Sequence, residues 1–339
     1  MEESNNYSIH IKSNQPIRHL EELEEVVNMI CKMAKETENK SLDEKKVTEA
    51  VNNFFHNKIF GHYFIIVDEA NNNFCGMNMI TYEYNINTDK TLVWIQSVFI
   101  EKEYRKKKLF RKLLQENENF VIKNENFEKK VKLYMEKTNT TAEQVYHKLG
   151  FVKTDECLFE IDYDFDDVKF LKSDDEIYNK MNINFMNDGI FMGKPTIDKF
   201  EKCYSNLKFS NFFSKIRNKK VDLNNYSNSI RNVLYDDKKG KVIWIYDDKN
   251  EIPICLFYIF YEYSDWRNSI FWWVYDFIVN IEYSQYCDEN VEKFIFTLVK
   301  LNYDESSCGI RFLTNSENQS FLEKTVLNKS HYIIYEKNI

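Results

Sequence analysis

The stretch VFIEKEYRKKKLFRKLL, Val98 to Leu114, turns from an apolar run into a cationic one. Six of the eight residues from Arg105 to Lys112 are basic, in a chain of 339 residues whose formal net charge is -8. A basic patch on an acidic protein points to a local anion and away from a broad polyanion surface, because nucleic-acid binding draws on an extended basic face. Val98, Phe99 and Ile100 suit the end of a strand, and a basic helix is expected from Lys106 to about Asn119.

Outward from this stretch, the chain repeats itself. At an offset of 179 positions, residues 61–104 align without a gap with residues 240–283, with 11 identities over 44 positions. Among them are the triplet Tyr82-Glu83-Tyr84 against Tyr261-Glu262-Tyr263, and Trp94 against Trp273. Solenoid and propeller periods are about 20–50 residues, so a period this long is a domain and the chain reads as a tandem duplication. The division is expected near the acidic stretch Asp162 to Asp167, giving domains 1–163 and 164–339, with a helical insertion near 170–237. That insertion is expected to wall one side of the acceptor cleft.

Length and composition agree with two globular domains: 43% of residues are hydrophobic and 16% aromatic. With 7 Gly and 3 Pro, no GxGxxG or GxxxxGK[ST] motif occurs, which removes the dinucleotide and P-loop readings. The 7 Cys are odd in number, scattered and without a CxxC pair, so reduced thiols in a cytoplasmic compartment are expected and no metal site. The N-terminus lacks the order of a secretion signal, and the longest apolar run, from Ile252, is about half a membrane span. A soluble protein with neither membrane nor nucleic-acid partners is expected.

Periodicity in the first copy gives strand YSIHIK, helix HLEELEEVVNMICKMAKE, and a second helix opened by a capping box at Ser41 to Glu44 and running through Asn57. Strands HYFIIVD, FCGMNMITYEY and TLVWIQSVFI follow, then the basic helix, strand VKLYMEK, helix TAEQVYHKL and strand KTDECLFEID. The fold class is α+β in layered form, a mixed central sheet flanked by helices in each of two tandem domains.

That order, with VFIEKEYRKKKLFRKLL and NTTAEQVYHKLGF (Asn139 to Phe151), resembles the GNAT superfamily of acyl-CoA-dependent N-acetyltransferases. The first motif is similar to the family's strand, pyrophosphate loop [RQ]xxGx[GA] and helix; the second to N-x-x-A-x-x-x-Y-x-x-x-G-F. A subgroup string like YEWSDWRNGxFWWIQSVYV is divided between the copies: WIQSVF stands in the first, YEYSDWRN and FWW in the second.

The resemblance implies acetyl-CoA as co-substrate. A helix N-terminus offers free N–H groups and a positive dipole end to an anion, so Arg105, Lys106, Lys107, Lys108, Leu109 and Phe110 are the expected pyrophosphate site. Arg105 suits bidentate contact. Lys108 stands where the family prefers glycine, and Phe110 where it prefers a small residue. By the same resemblance, Val98, Phe99 and Ile100 hydrogen-bond the pantetheine arm through their main chain, and Asn139 binds the cofactor's amide region. An N-cap of the following helix is the other reading of Asn139.

Tyr146 is the expected general acid toward the leaving thiolate, against an ordinary packed tyrosine. Glu83 is the candidate base or substrate carboxylate, with Gln96 and Ser97 as alternatives that orient a water. A strand-edge glutamate paired to a lysine is the plainer reading of Glu83.

In the second copy, Arg105 to Phe110 fall on Ser284 to Glu289 and Tyr146 falls on Thr325, so the cationic loop and the phenol are lost. Trp266, Phe271, Trp272 and Trp273 read as sheet core. The reading is an N-acetyltransferase transferring acetyl from acetyl-CoA to a primary amine of a small molecule or peptide, with its active site in the N-terminal domain. A catalytically silent CoA-binding or regulatory protein is the alternative. The chain can be a monomer or a homodimer, since the internal pair can replace a dimer.

Overall fold

The computed structural model describes residues 7–12, 20–57, 59–164, 189–205, 212–215, 219–221, 223–238 and 240–339. Its first mixed sheet has seven strands. Five come from the first half: β1 (Tyr7–Lys12), β2 (Gly61–Asp68), β3 (Asn73–Asn85), β4 (Lys90–Ile100) and β5 (Phe127–Glu136). The short β6 (Val152–Lys153) lies at the edge beyond a strand from the far end of the chain. Helices α1 (Leu20–Glu38) and α2 (Glu44–His56) cover one face, and α3 (Leu109–Lys123) and α4 (Thr140–Lys148) the other. Asp43, and not Ser41, caps α2: its carboxylate accepts from the N–H groups of Lys45 and Lys46, satisfying two orphan donors of the first turn.

After α4 the chain leaves this sheet. β7 (Glu156–Asp162) enters the second sheet, which also holds β8 (Ile190–Gly193), β9 (Phe212–Ser214), β10 (Lys219–Val221), β11 (Lys241–Asp247), β12 (Ile252–Ser264), β13 (Ser269–Asn280), β14 (Gly309–Asn315) and β15 (Asn328–Lys329). The last strand, β16 (Tyr332–Asn338), returns to the first sheet and pairs with β5 from Tyr332↔Glu136 to Asn338↔Lys130. β7 takes the matching place beside β14, from Gly309↔Asp162 to Asn315↔Glu156. Strand KTDECLFEID is therefore not part of the first copy's sheet: the halves exchange their last strands, and the division at 163/164 separates the chain but not the sheets.

The 179-residue repeat is visible in backbone detail. β4 carries a bulge at Gln96, skipped between Met79↔Ser97 and Ile80↔Ile95, and β13 carries one at the equivalent Tyr275. Cys75 and its counterpart Ile254 are skipped in the β2–β3 and β11–β12 ladders. Left-handed residues recur as Asn72 with Glu251 and Asp89 with Asn268. Such bulges re-aim side chains and bend the strand. The counterparts Trp94 and Trp273 meet with ring centroids 5.3 Å apart, so the local twofold axis relating the halves passes between them.

The two copies differ beyond this frame. α5 (Ile197–Ser205) and α6 (Leu223–Tyr235) form the helical part of the insertion, whose calls at 165–188 lie outside the described residues. α6 packs on the β3–β4 turn: Tyr226 Oη donates to Asn87 Oδ1, and Asn232 Nδ2 to Tyr84 Oη at 3.3 Å. α7 (Ser284–Asp304) starts at the position equivalent to Arg105, whereas α3 starts only at Leu109. No disulfide joins any of the seven cysteines, and among the described residues no helix is long and apolar enough to cross a membrane.

Ile334 of β16 is fully buried in the core shared by the halves. Ile334→Ala is expected to lower stability in urea by about 2–5 kcal/mol, as for a large core truncation. A loss under about 1 kcal/mol would show that the returning strand does not hold the first sheet together.

Candidate active site

β4 and β5 run parallel only as far as Ile95↔Leu133, beyond which, among the described residues, no strand pairs with β4 on that side. A cavity of about 1050 Å³ opens there, lined by β4 from Ile95 to Ile100, by the turn into α3, by Asn139 to Leu149, and by residues of the second half. The equivalent parting of β13 from β14 follows Val274↔Phe312. There β9 fills the gap, pairing Ile278↔Ser214, Val279↔Phe213 and Asn280↔Phe212. Ser214 Oγ donates to Asp276 at 2.5 Å, and Lys215 N–H to Phe277 O at 2.9 Å. The insertion thus closes the second gap; among its described residues none lines the open cavity, contrary to the expectation that it walls the acceptor cleft.

Val98, Phe99, Ile100, Arg105, Lys106, Lys108, Leu109, Phe110, Asn139 and Tyr146 all line the cavity. Lys106 and Lys108 have left-handed backbone, φ 65° and 60°, and Lys108 stands at the start of α3 without a side-chain cap, so the first N–H groups of that helix lack a capping side chain. Glycine reaches these angles with no Cβ penalty, so Lys108 marks where a glycine-preferring turn is kept at a cost of about 1–2 kcal/mol. Lys107 does not line the cavity: its ammonium lies 4.6 Å from the Tyr104 ring and 3.3 Å from Tyr7 Oη. Arg105 lines it but is engaged, with Nη2 2.7 Å from Glu36 and Nε donating to Ile100 O at 2.8 Å. That ion pair and the one from Lys102 hold the Glu36 carboxyl below its ordinary range, against the opposing effect of burial.

Asn139 caps α4, accepting from Ala142 N–H at 3.1 Å, and it lines the cavity. Tyr146 stands among Phe110, Phe151 and Tyr335, and burial pushes its phenol up to about 12. Glu83 is a correction. It does not line the cavity: it is buried between the halves and accepts from Trp94 Nε1 at 2.6 Å. Its counterpart Glu262 is the glutamate that reaches the cavity, because the halves face each other across the twofold axis and each β3-type strand points into its neighbour's site.

Glu262 accepts from Arg311 Nη1 and from Gln96 Nε2, both at 2.6 Å, and Gln96 accepts from Tyr134 Oη at 2.5 Å. Burial raises the Glu262 carboxyl, with Arg311 and Gln96 opposing. The turn Ser264 to Arg267 lies alongside. Asp265 accepts from Tyr63 Oη at 2.8 Å and is raised by burial to about 6. Arg267 is held by Asp162, at 3.0 Å through Nε. Trp266, expected as sheet core, is half-buried and lines the cavity; Phe271 also borders it but is buried in the core as read, as are Trp272 and Trp273. The sequence signal for these residues lay in YEYSDWRN, whose counterpart in the first copy is YEYNINTD.

The open gap, the uncapped helix start and the mixed two-sheet fold define a protein of the acyl-transferring GNAT type. The model of the Acetyltransferase (GNAT) family matches residues 27–151, and the chain belongs to that family. A possible acetyltransferase from Clostridium difficile 630 is 30% identical, over 42% of this chain and 88% of its own length, with a TM-score of 0.37. Along almost the whole chain (97%) the fold is similar to that of a GCN5-related N-acetyltransferase from Sphaerobacter thermophilus, at 9% identity, with 95% of that chain covered and a TM-score of 0.55. A GCN5-related glucosamine N-acetyltransferase region of a fungal multi-domain GH3 beta-N-acetylglucosaminidase also aligns, at 11% identity over 97% of this chain and 38% of that one, with a TM-score of 0.53. Comparison with the curated proteins finds no match.

Lys108→Gly is expected to stabilise the fold by up to about 1 kcal/mol, the relief of a left-handed side chain being partly offset by a more flexible unfolded chain. Lys108→Ala should give no such gain in the same urea titration, because its Cβ keeps the penalty.

Proposed function

We propose that the chain is an N-acetyltransferase that carries acetyl from acetyl-CoA to a primary amine, with one active site in the N-terminal domain (1–163). The C-terminal domain (164–339) has no cofactor site of its own and supplies the acceptor wall. The carrying observation is the contrast between two equivalent gaps: β9 fills the one beside β13, while the one beside β4 is open. A buried strand edge needs hydrogen-bond partners, and an extended amide-bearing arm lying along Val98 to Ile100 would provide them.

Bound acetyl-CoA supplies the thioester whose carbonyl carbon takes the amine. On this reading, the N–H groups of Lys106 to Phe110 and the charges of Lys106 and Lys108 hold the pyrophosphate. Arg105 joins them after release from Glu36. Asn139 fixes the amide region while keeping its cap. Tyr146 donates to the leaving sulfur; a phenol raised by burial stays protonated across the working pH range, as a general acid must. Phe110 holds the phenol by ring contact.

Acetyl-CoA at about 100 times its dissociation constant should stabilise the protein by about 2.7 kcal/mol in a thermal-shift series. Tyr146→Phe should keep that shift and lower kcat for thiol release at least about 100-fold. Tyr146 should also give the wild-type profile no alkaline limb below about pH 11. An unchanged kcat in the phenylalanine variant would remove Tyr146 from the chemistry, and the absence of any acetyl-CoA shift would remove the cofactor reading.

A further inference from the structure

Residue for residue, the molecule contains its own control for one buried carboxylate. Asp265 is 4% exposed and Tyr63, which donates to it, is fully buried. At the 179-residue offset, Asp265 corresponds to Ile86 and Tyr63 to Val242, which are each 1% exposed and share one apolar core cluster. Where the turn of one half packs beside the closed gap, the fold uses an isoleucine on a valine. Where the equivalent turn packs beside the open gap, it uses a carboxylate under a tyrosine. The mirrored turn is held by an apolar pair, so the frame of the fold does not by itself call for a carboxylate at this position.

We infer that Asp265, delivered to the first half's cavity by the β12–β13 turn, is the residue that binds the acceptor's ammonium group and takes its proton. This rests on the acetyltransferase reading above. Asp265 has no ion-pair partner among the described residues: the Arg267 guanidinium two positions on is spent on Asp162 and on Ser264 Oγ. A buried carboxylate without a cation is costly, and an incoming ammonium is the natural counter-ion. Tyr63, Met79 and Ser97 form one cross-strand row, so the backbone of the residue that holds the carboxylate stands two inter-strand spacings, roughly 10 Å, from that of β4. Met79 and Ser97 line the cavity between them. Trp266, next in the turn, gives the ammonium's substituent an aromatic face.

The other groups facing Asp265 are few. Tyr63 comes from β2, Cys31 from α1, and Tyr263 and Arg267 from its own hairpin. Burial leads the upward shift to about 6, and the Tyr63 hydrogen bond and Arg267 oppose it. The ionised form therefore dominates above pH 6, where it is poised to accept a proton from a bound ammonium. In the reaction, one ammonium proton goes to Asp265. The freed lone pair forms the C–N bond as the C–S bond breaks, and sulfur takes the Tyr146 proton. The second nitrogen proton leaves to water, from which Tyr146 is reprotonated.

The test uses the full chain as wild type, Asp265→Asn and the double variant Tyr63→Val/Asp265→Ile, which copies the pair already present in the other half. Acetyl-CoA binding is read by thermal shift, and thiol release with n-butylamine, tyramine, lysine methyl ester and spermidine is read from pH 5 to 9. Both variants should bind acetyl-CoA within about twofold of wild type and lose at least about 100-fold in amine-dependent release. The acid limb of kcat/KM, centred near pH 6 in wild type, should be missing from what activity remains. A wild-type rate and limb in Asp265→Asn overturn the inference, as does a wild-type protein that binds acetyl-CoA but releases thiol with none of these amines. Failure to bind acetyl-CoA at all overturns the acetyltransferase reading beneath it.

Discussion

The arrangement depends on where two parallel strands stop pairing. Buried main-chain N–H and C=O groups must find partners. When β4 leaves β5 after Ile95, and β13 leaves β14 after Val274, each parting exposes a row of them. The second row is satisfied by three residues of β9. The first is left facing a cavity. Two equivalent folds are made unequal by one three-residue strand, and the rest of the asymmetry follows that inequality. α7 begins at Ser284 and runs straight through the segment equivalent to Arg105 to Lys108, whereas α3 waits until Leu109 and leaves Lys106 and Lys108 left-handed. A closed gap has no use for an open helix end.

The exchanged strands make the two halves one cooperative object. β16 lies beside β5 and β7 beside β14, so neither sheet is complete without the other half's chain. Around the Trp94–Trp273 contact the halves share a single apolar cluster. The same symmetry delivers each β-hairpin to the opposite site: Ser264 to Arg267 reaches the first cavity, while Asn85 and Asn87 reach Tyr275 of the second half. The cavity is therefore composite by geometry, lined by residues of both copies.

Much of this was legible in the sequence, because an ungapped offset over 44 positions preserves the ladder as well as the residues. The bulges at Gln96 and Tyr275 and the left-handed pairs fall on the same offset. The turn ahead of α3 was legible through its charge, and the place of Tyr146 on the helix that lines the cavity through its motif. Strand exchange was not, since the alternation in ECLFEID gives a strand but carries no address for the sheet it joins. For the same reason Glu83 drew the attention due to Glu262: identical triplets hide which copy faces which cleft. β9 escaped notice because three residues are too short for a periodic signal in a segment that otherwise reads as helix.

Duplication followed by loss explains which features each copy retains. Several costly features gather at the cavity, although buried carboxylates also stand away from it, as Glu83 and Asp276 do. The first copy keeps two lysines in left-handed backbone and an uncapped helix, both unfavourable to folding alone. The second keeps a buried aspartate without a cation and the Glu262–Arg311 pair, also unfavourable alone. At two of the mirrored positions the cost is absent, with helix replacing the strained turn and Ile86 replacing the aspartate, while Glu83 and Lys132, the counterparts of Glu262 and Arg311, remain buried charged residues. Folding stability by itself would have erased the costly set on both sides. The left-handed lysines Lys106 and Lys108 and the buried Asp265, drawn from two copies, meet at a single cavity, a combination that folding stability alone does not favour.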